Sequence, residues 1–512
     1  MSEMSIPGRD GQAAAASAPD PRRWLILGMV ALAQLMVVLD ATIVNIALPS
    51  AQRSLHFSTA DRQWVVTAYA LAFGSLLLFG GRLADLLGRK VTFLAGVTGF
   101  AAASAVGGAA TSFGMLAAAR ACQGACGALM APAALSVLTT TFTDPKERGR
   151  AFGVFGAIAG AGGAVGLLLG GLLTEYLSWR WCLYVNLVFA AISGIGAAVL
   201  LRRQRPTERP RLDIPGVLAV SGGMFCIVYG FSNAATHNWH TPSTWGFLAA
   251  GAALLAVFAW WQTRAPAPLL PLRIVLDRNR GGAYLSILIA GSGIFGIFLF
   301  LTYYLQLTLR FSPVVTGVAF LPMVGCIMLS ANLATIVLMP RFGPRPLVTC
   351  GMLLAAAGLA WLTRIGIHSS YAADVLPPLL IIGIGLGQTI APSINTGTFG
   401  VAPSDAGVAS ASVNTGQQLG GSLGTALLNT LAASAVASYL ASHTFHGLGP
   451  PGNLRALALV HGYTTAFWWS AAIFAFGAVV AGSLFRWGPL TRPASQPGAV
   501  PEDSHQAVTP PA

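Results

Sequence analysis

The sequence predicts an all-α polytopic membrane protein. Of its 512 residues, 55% are hydrophobic and 9% are charged, whereas a typical soluble domain has about 25% charged residues. Apolar stretches of roughly 20 residues recur along the chain, and each is long enough to cross about 30 Å of hydrocarbon as a helix. The stretches are continuous and do not alternate between apolar and polar positions, which excludes a β-barrel.

Fourteen apolar stretches qualify as predicted membrane spans. They cover residues 24–49, 63–81, 91–111, 115–140, 151–174, 181–201, 214–232, 244–262, 282–305, 314–338, 347–366, 374–398, 408–436 and 463–485. A twelve-span alternative requires the seventh and eighth stretches to stay outside the membrane. Because "IPGVLAVSGGMFCIVYGFS" and "TWGFLAAGAALLAVFAWW" are strongly apolar, we expect fourteen spans.

The distribution of basic residues predicts the orientation. With both termini in the cytoplasm, 22 of the 29 Lys and Arg residues fall in cytoplasmic segments and six, Arg62 among them, in external loops. This asymmetry follows the positive-inside rule and accounts for the net charge of +13 without a nucleic-acid partner. The preference for Arg over Lys and the abundance of Ala and Gly favour a bacterial source. We therefore expect a multi-pass protein of the bacterial plasma membrane, in contact with the lipid bilayer.

The chain is predicted to consist of two six-helix bundles with an inserted helix pair. The expected parts are a disordered N-terminal tail (1–21), a first bundle (22–201), a linker with two extra transmembrane helices (202–281), a second bundle (282–486) and a disordered C-terminal tail (487–512). A weak repeat supports the division, since "GRLADLLGRK" follows span 2 and the related "PRFGPRP" follows span 10. Repeated halves with a substrate site between them are typical of secondary transporters.

One acid and one base lie well inside predicted spans. Asp40 lies ~24 Å along span 1, which places it within about 6 Å of the external surface. Arg120 lies ~8 Å below the same surface on span 4. A lone carboxylate at the centre of a membrane helix costs roughly 2.5–3.5 kcal/mol, so we expect these two residues to form a pair.

Two roles are open for this pair. It can be a static ion pair that holds two helices together. Alternatively it is a proton switch, in which Asp40 takes up a proton when it is desolvated and releases it when water or Arg120 approaches. We favour the switch, because acids inside the membrane segments of transporters are usually functional.

Several motifs occur in order along the predicted spans. They are "LDATIVNIALP" (39–49), "GRLADLLGRK" (81–90), "LAAARACQGACGA" (116–128), "GAGGAVGLLLGG" (160–171), "WRWCLYVNLV" (179–188), "FSPVVTGVAFLP" (311–322) and "SVNTGQQLGGSLGTAL" (412–427). Together they resemble the fourteen-helix drug:proton antiporter branch of the major facilitator superfamily, over nearly the whole chain. The resemblance implies the major facilitator fold, namely two six-helix bundles plus two extra central helices.

Two of these motifs supply candidate functional residues. The loop after span 2 matches the superfamily signature at Gly81, Asp85, Gly88, Arg89 and Lys90, and the resemblance implies a gate that locks one conformation. The alternative is that these charges only set the topology. The resemblance also implies an antiporter motif in span 5 with Gly162, Gly166, Gly170 and Gly171. The first three glycines are four residues apart, so they share a helix face that permits close packing. Leu167 stands where the family usually has Pro.

Amide side chains on the apolar spans are candidates for lining a substrate cavity. They are Asn45, Gln123, Gln306, Gln388, Asn395, Asn414, Gln417 and Gln418. Each can instead bond a neighbouring helix, since buried amides need partners. Spans 9–14 hold no acid away from their ends, and this absence favours neutral, monocationic or anionic amphipathic substrates.

Other kinds of site have little support in the sequence. The six cysteines lie in apolar segments and the histidine pairs in loops lack supporting ligands, so we expect neither disulfides nor a metal site. The P-loop pattern is absent, so this chain does not encode ATP drive. We expect no cofactor and no enzymatic activity. An embedded enzyme or sensor, the alternative from another class, would require a convergent cluster of acids, histidines or metal ligands.

The resemblance implies a function and a mechanism. We expect proton-coupled efflux of small amphipathic compounds, such as drugs or antibiotics, by alternating access between two helix bundles. The partners are then a drug-like substrate and protons, and we expect a monomer. An importer or uniporter of the same fold is the alternative.

Overall fold

The computed structural model describes residues 21–142, 144–201, 213–237, 239, 241–266, 268–269, 272–401, 406–443 and 451–490. Its long helices are α1 (Arg23–Leu55), α2 (Thr59–Leu87), α3 (Arg89–Gly108), α4 (Phe113–Thr141), α5 (Pro145–Tyr176), α6 (Trp181–Leu200), α7 (Ile214–His237), α8 (Pro242–Gln262), α9 (Arg278–Tyr303), α10 (Pro313–Leu333), α11 (Pro344–Leu362), α12 (Leu376–Thr398), α13 (Ala406–His443) and α14 (Pro451–Leu484). The π-helical turns Tyr304–Thr308, Ala334–Leu338 and Tyr371–Val375 adjoin α9, α10 and α12, and Leu272–Val275 and Met339–Phe342 are short helices.

The helices have the length and composition of membrane spans. Within the described ranges, twelve helices are long and apolar enough to cross a membrane, while α2 and α5 contribute the shorter apolar stretches Trp64–Leu77 and Val165–Tyr176. The predicted all-α multi-pass architecture is therefore confirmed, and the count of fourteen spans stays a prediction. Of the predicted disordered tails, residues 1–20 and 491–512 lie outside the described residues, as does the linker segment 202–212.

The same packing pattern occurs twice. In the first half, α1–α6, helix α1 packs against α5 and α6, while α4 packs against α2 and α3. In the second half, α9–α14, helix α9 packs against α13 and α14, and α12 packs against α10 and α11. The contacts of α3 with α6 and of α11 with α14 complete the match. Two six-helix bundles of equivalent topology result, as the predicted fold class requires.

Matching glycines end the second helix of each half. Gly88 separates α2 from α3 with φ 88°, and Gly343 precedes α11 with φ 77°. An L-residue with a side chain rarely adopts a positive φ, whereas glycine does so without steric penalty. The resemblance between "GRLADLLGRK" and "PRFGPRP" thus reflects the same sharp turn at equivalent places.

The extra helices α7 and α8 form a hairpin beside the two halves. Asp213 precedes α7, and its carboxylate accepts hydrogen bonds from Trp261 Nε1 at 2.6 Å and Gln262 Nε2 at 2.9 Å at the end of α8. Helix α7 packs against α2 of the first half and α13 of the second. Thr430 Oγ1 of α13 also donates to the carbonyl oxygen of Phe231 at 2.7 Å. The hairpin therefore contacts both halves at once.

Contacts between the two halves close one end of the helix bundle. We call the end with the start of α1 and the end of α14 the terminal end, and the other the opposite end. At the opposite end the halves touch directly, because Gln306 Nε2 donates to the carbonyl oxygen of Ile46 at 3.1 Å. Glu175 Oε2 there accepts from the backbone N–H of Val314 at 2.9 Å. The opposite end is thus closed by contacts between the halves.

Candidate functional site

Asp40 and Arg120 are in direct contact inside the first half. Arg120 Nη1 donates to Asp40 Oδ2 at 2.5 Å, and the side chains of Asp40 and Arg120 are 0% and 2% exposed. Helices α1 and α4 bring them together at the similar depths that the sequence indicates. An unpaired charge at this depth would be strongly unfavourable, so each residue makes burial of the other possible.

Three neutral polar residues complete the environment of the carboxylate. Asp40 Oδ1 accepts from Asn186 Nδ2 of α6 at 2.8 Å and from Gln123 Nε2 of α4 at 3.1 Å. The same Gln123 nitrogen donates to Ser104 Oγ of α3 at 2.7 Å. Ser104, Gln123 and Asn186 are fully buried. The carboxylate therefore has three donors, two of them on Oδ1.

Arg120 has partners other than Asp40. Its Nη1 also donates to Gln123 Oε1 at 2.9 Å, and its Nε donates to the carbonyl oxygen of Val65 at 3.2 Å. The ring of Tyr69 on α2 lies with its centre 4.4 Å from the guanidinium carbon, within the range of a cation–π interaction. These contacts keep the guanidinium in place by themselves, so its position does not depend on the ion pair alone.

The geometry distinguishes the two carboxylate oxygens. Each carboxylate oxygen has about two lone pairs, and those of Asp40 Oδ1 are both occupied by amide donors. Oδ2 accepts one described hydrogen bond, from Arg120. Oδ2 therefore keeps one lone pair without a described donor, and the two oxygens of Asp40 are bonded differently.

Glycines of α5 bring that helix against α1 next to Asp40. A Cβ added to Gly166 or Gly170 would collide with α1, and one added to Gly162 would be in tight contact with Leu35 and Val38 of that helix at 3.1 Å. A Cβ on Gly171 would instead lie 2.7 Å from the carbonyl oxygen of Pro313 on α10. The glycines of this motif thus pack two helices of the first half together at three positions, and join the two halves at the fourth.

The predicted gating loop is described in part. Gly81 lies near Pro132 of α4, at 3.6 Å from an added Cβ. Gly88 makes the turn at which α2 ends, and Arg89 begins α3. The side chain of Asp85 lies outside the described part of the chain, so the charge contacts predicted for it stay a prediction.

Lys90 in this loop has defined partners. Its Nζ donates to the carbonyl oxygens of Ala198 and Leu201, at 2.6 Å each. Both carbonyls belong to the C-terminal turn of α6, where the helix leaves acceptors unpaired and its dipole favours a cation. Lys90 therefore fastens the loop to α6.

The predicted cavity amides are dispersed. Gln123 belongs to the Asp40 network, Asn45 donates to the carbonyl oxygen of Ala41 in its own helix, and Gln306 joins the halves. The others are half-buried (Gln388, Asn395, Asn414), exposed (Gln417), or have a side chain outside the described part (Gln418). Their role as a cavity lining stays a prediction.

An apolar pocket adjoins the Asp40 network. It is lined by Val44, Leu48, Val65 and Trp179, among other residues, and by Arg120. In the described residues no group of three or more His, Cys, Asp or Glu side chains is close enough to hold a metal ion.

Ser104 and Asn186 were missed by reasoning from the sequence. Serine and asparagine carry no charge, so neither disturbs the apolar pattern of its span. Asn186 lies within the motif "WRWCLYVNLV", and that position is the one signal that could have identified it.

Comparisons with known proteins agree with this architecture. The family model described as Major Facilitator Superfamily matches residues 30–425. The puromycin resistance protein pur8 of Streptomyces alboniger is 48% identical over 501 residues, which are 98% of this chain and 97% of that protein. The cephamycin export protein CmcT of Amycolatopsis lactamdurans is 39% identical over 418 residues, 80% of this chain and 86% of that protein.

A solved structure gives the same result for the fold. The auto-inhibited peptide transporter of the POT family aligns over 93% of this chain and 99% of its own, with a TM-score of 0.63 and 16% identity. At that identity the likeness supports the fold alone. The sequence match, the repeated six-helix packing and the structural likeness agree, and the chain belongs to the major facilitator superfamily.

Proposed function

We propose that this protein exports small amphipathic antibiotics across the bacterial plasma membrane in exchange for protons. The coupling of export to protons is inferred from the buried contact between Asp40 and Arg120, with its three neutral partners. The relatives support the direction and the substrate class, since their names specify puromycin resistance and cephamycin export. Puromycin is the first substrate to test, because that relative matches nearly the whole chain.

Membership in the superfamily makes the chain a membrane transporter and not an enzyme. The alternative of an embedded enzyme or sensor is thereby removed. Import or uniport by the same fold is disfavoured, because the similar proteins are described by resistance and export.

The proposed cycle uses the two oxygens of Asp40 differently. Protonation of Oδ2 at its free lone pair removes the negative charge that pairs with Arg120, while Asn186 and Gln123 keep Oδ1 in place. The guanidinium remains held by Val65, Gln123 and the Tyr69 ring. Asp40 then no longer ties α1 to α4 by charge, and this change biases the balance between conformations. Loss of the proton restores the ion pair.

The orientation follows from the distribution of charge. We assign the terminal end to the cytoplasm, because the Arg- and Lys-rich segments lie there. The protein is proposed to act as a monomer, with residues 22–201 and 282–486 as its moving bundles and the loop 81–90 as the gate at the cytoplasmic end. The substrate is then taken from the cytoplasmic side and released at the opposite end.

Transport into everted membrane vesicles tests the proposal. Wild-type protein is expected to accumulate puromycin when a pH gradient is applied, and an uncoupler is expected to abolish the accumulation. Asp40→Asn keeps the size of the side chain but cannot bind and release a proton, so pH-driven transport is expected to fall to background in a folded protein.

Asp61→Asn is the matched control. Asp61 is a half-buried acid in the first turn of α2, where its carboxylate accepts hydrogen bonds from the backbone N–H and the hydroxyl of Ser58. The amide oxygen of asparagine can accept the same bonds. This variant should transport like the wild type. Full pH-driven transport by Asp40→Asn would contradict the coupling role, and puromycin transport that ignores the pH gradient would contradict antiport.

A further inference from the structure

Arg62 is buried at the opposite end of the molecule. It lies in the first turn of α2, and it is 5% exposed. Its Nη1 donates to Gln52 Oε1 of α1 at 3.2 Å, and among the described side chains it forms no salt bridge. A guanidinium removed from water without a carboxylate partner requires other compensation.

That compensation comes from the second half of the molecule. The guanidinium carbon of Arg62 lies 3.5 Å from the centre of the Tyr303 ring of α9. The Tyr463 ring of α14 is next to it, with its centre 6.5 Å from that of Tyr303. The two tyrosines are 2% and 3% exposed. The arginine of one half therefore lies on the aromatic face of Tyr303 of the other half, with Tyr463 beside that ring.

We propose that Arg62, held by Tyr303 and Tyr463, is the latch that keeps the opposite end of the transporter closed. The contact exists only while the halves meet at this end, so it stabilises the closed conformation selectively. A cation–π contact suits a reversible latch, because the guanidinium regains water when the halves separate. If a buried ion pair held the halves together, their separation would leave two charges to be solvated in place of one.

Neighbouring contacts place the latch within a larger closed surface. Gln306 bonds the Ile46 carbonyl, and Glu175 bonds the Val314 backbone. Arg62 differs from these in carrying a charge whose burial depends on the other half. The role proposed for Arg62 rests on the proposed alternating-access export. It adds the residues that set the balance between the two conformations of the transporter.

Distance measurements between spin labels test the latch. Labels are attached at Ser54→Cys and Arg364→Cys, two exposed positions in different halves at the opposite end, in a variant without the six native cysteines. Arg62→Gln and Tyr303→Leu are each expected to raise the ratio of open to closed molecules at this end about tenfold, the effect expected from losing a desolvated cation–π contact.

Two matched variants serve as controls. Tyr303→Phe keeps the aromatic face, and Arg53→Gln removes an exposed arginine near the same end, so both should leave the distances unchanged. Arg62→Lys should restore part of the closed population. In vesicles, the apparent KM for drug presented at the terminal end is expected to rise at least twofold in Arg62→Gln, because fewer molecules accept substrate there.

Unchanged distances in a folded, monodisperse Arg62→Gln protein would overturn the latch, as would an equal change in Arg53→Gln. The distances are measured without substrate. Failure of the wild type to export any drug would therefore overturn the proposed function, while the latch would still be decided by the labels.

Discussion

The ring of Tyr69 lies over the guanidinium of Arg120, with 4.4 Å between the ring centre and the guanidinium carbon. The ring comes from α2, while the arginine belongs to α4 and its carboxylate partner to α1. The Tyr69 hydroxyl is buried without a hydrogen-bond partner in the described part of the chain. The aromatic face, and not the hydroxyl, is therefore the part of Tyr69 that acts on the ion pair.

Replacing Tyr69 should separate the effects of ring and hydroxyl. Tyr69→Leu removes the aromatic face, and loss of this desolvated cation–π contact is expected to lower proton-driven export about tenfold. Tyr69→Phe keeps the face and should export at the wild-type rate. Initial rates in everted vesicles measure both. A slow Tyr69→Phe variant would show that the hydroxyl matters and would contradict this assignment.

Asn186 should be needed for export but not for substrate binding. Asn186→Leu keeps the volume and removes one of the two donors to Asp40 Oδ1. A buried carboxylate that loses one hydrogen-bond donor is destabilised by roughly 1–3 kcal/mol. We therefore expect export to fall about tenfold, while the affinity for drug, measured by titration, is unchanged. Asn332→Leu replaces an exposed asparagine bonded within its own helix and should have no effect. Equal losses in the two variants would exclude a specific role.

The glycines of α5 should differ in their tolerance of a side chain. A Cβ on Gly170 would lie 2.8 Å from Ile43 Cγ1 and 3.2 Å from the Ile43 backbone, whereas one on Gly163 meets nothing within 4 Å. Gly170→Ala is therefore expected to destabilise the protein by about 1–3 kcal/mol. Gly163→Ala should be neutral or stabilising, because alanine favours helix. Thermal unfolding in detergent measures both, and a stable Gly170→Ala variant would show that α1 and α5 separate readily.

The parts of this structure that depend on apolar length and charge could be predicted from the sequence. Continuous apolar runs define the helices, and the depths of Asp40 and Arg120 could be estimated from their distances along two spans. A deeply buried charge is costly, so an isolated acid and base at matched depth predict each other. Asn186 and Ser104 could not be found in this way, because a neutral polar residue can lie in a span for many reasons.

Contacts between the halves could not be predicted from the sequence either. Arg62 lies near a helix end, and counting charges assigns it to the external loops. It is instead buried, because its guanidinium lies on the ring of Tyr303, 241 positions away in the chain, with Tyr463 beside that ring. Positions along a helix give depth, but they do not specify which face of one bundle meets the other.

A single acid inside the membrane has an electrical consequence. Of the sixteen acidic residues in the sequence, only Asp40 lies deep within a predicted span, and one carboxyl group carries at most one proton in each cycle. Under the proposed antiport, exchange of one proton for a monocationic drug moves no net charge, so the membrane voltage does not drive it. Exchange for a neutral drug moves one charge, and each 100 mV then adds about 2.3 kcal/mol to the driving force. The voltage dependence of export therefore follows the charge of the drug.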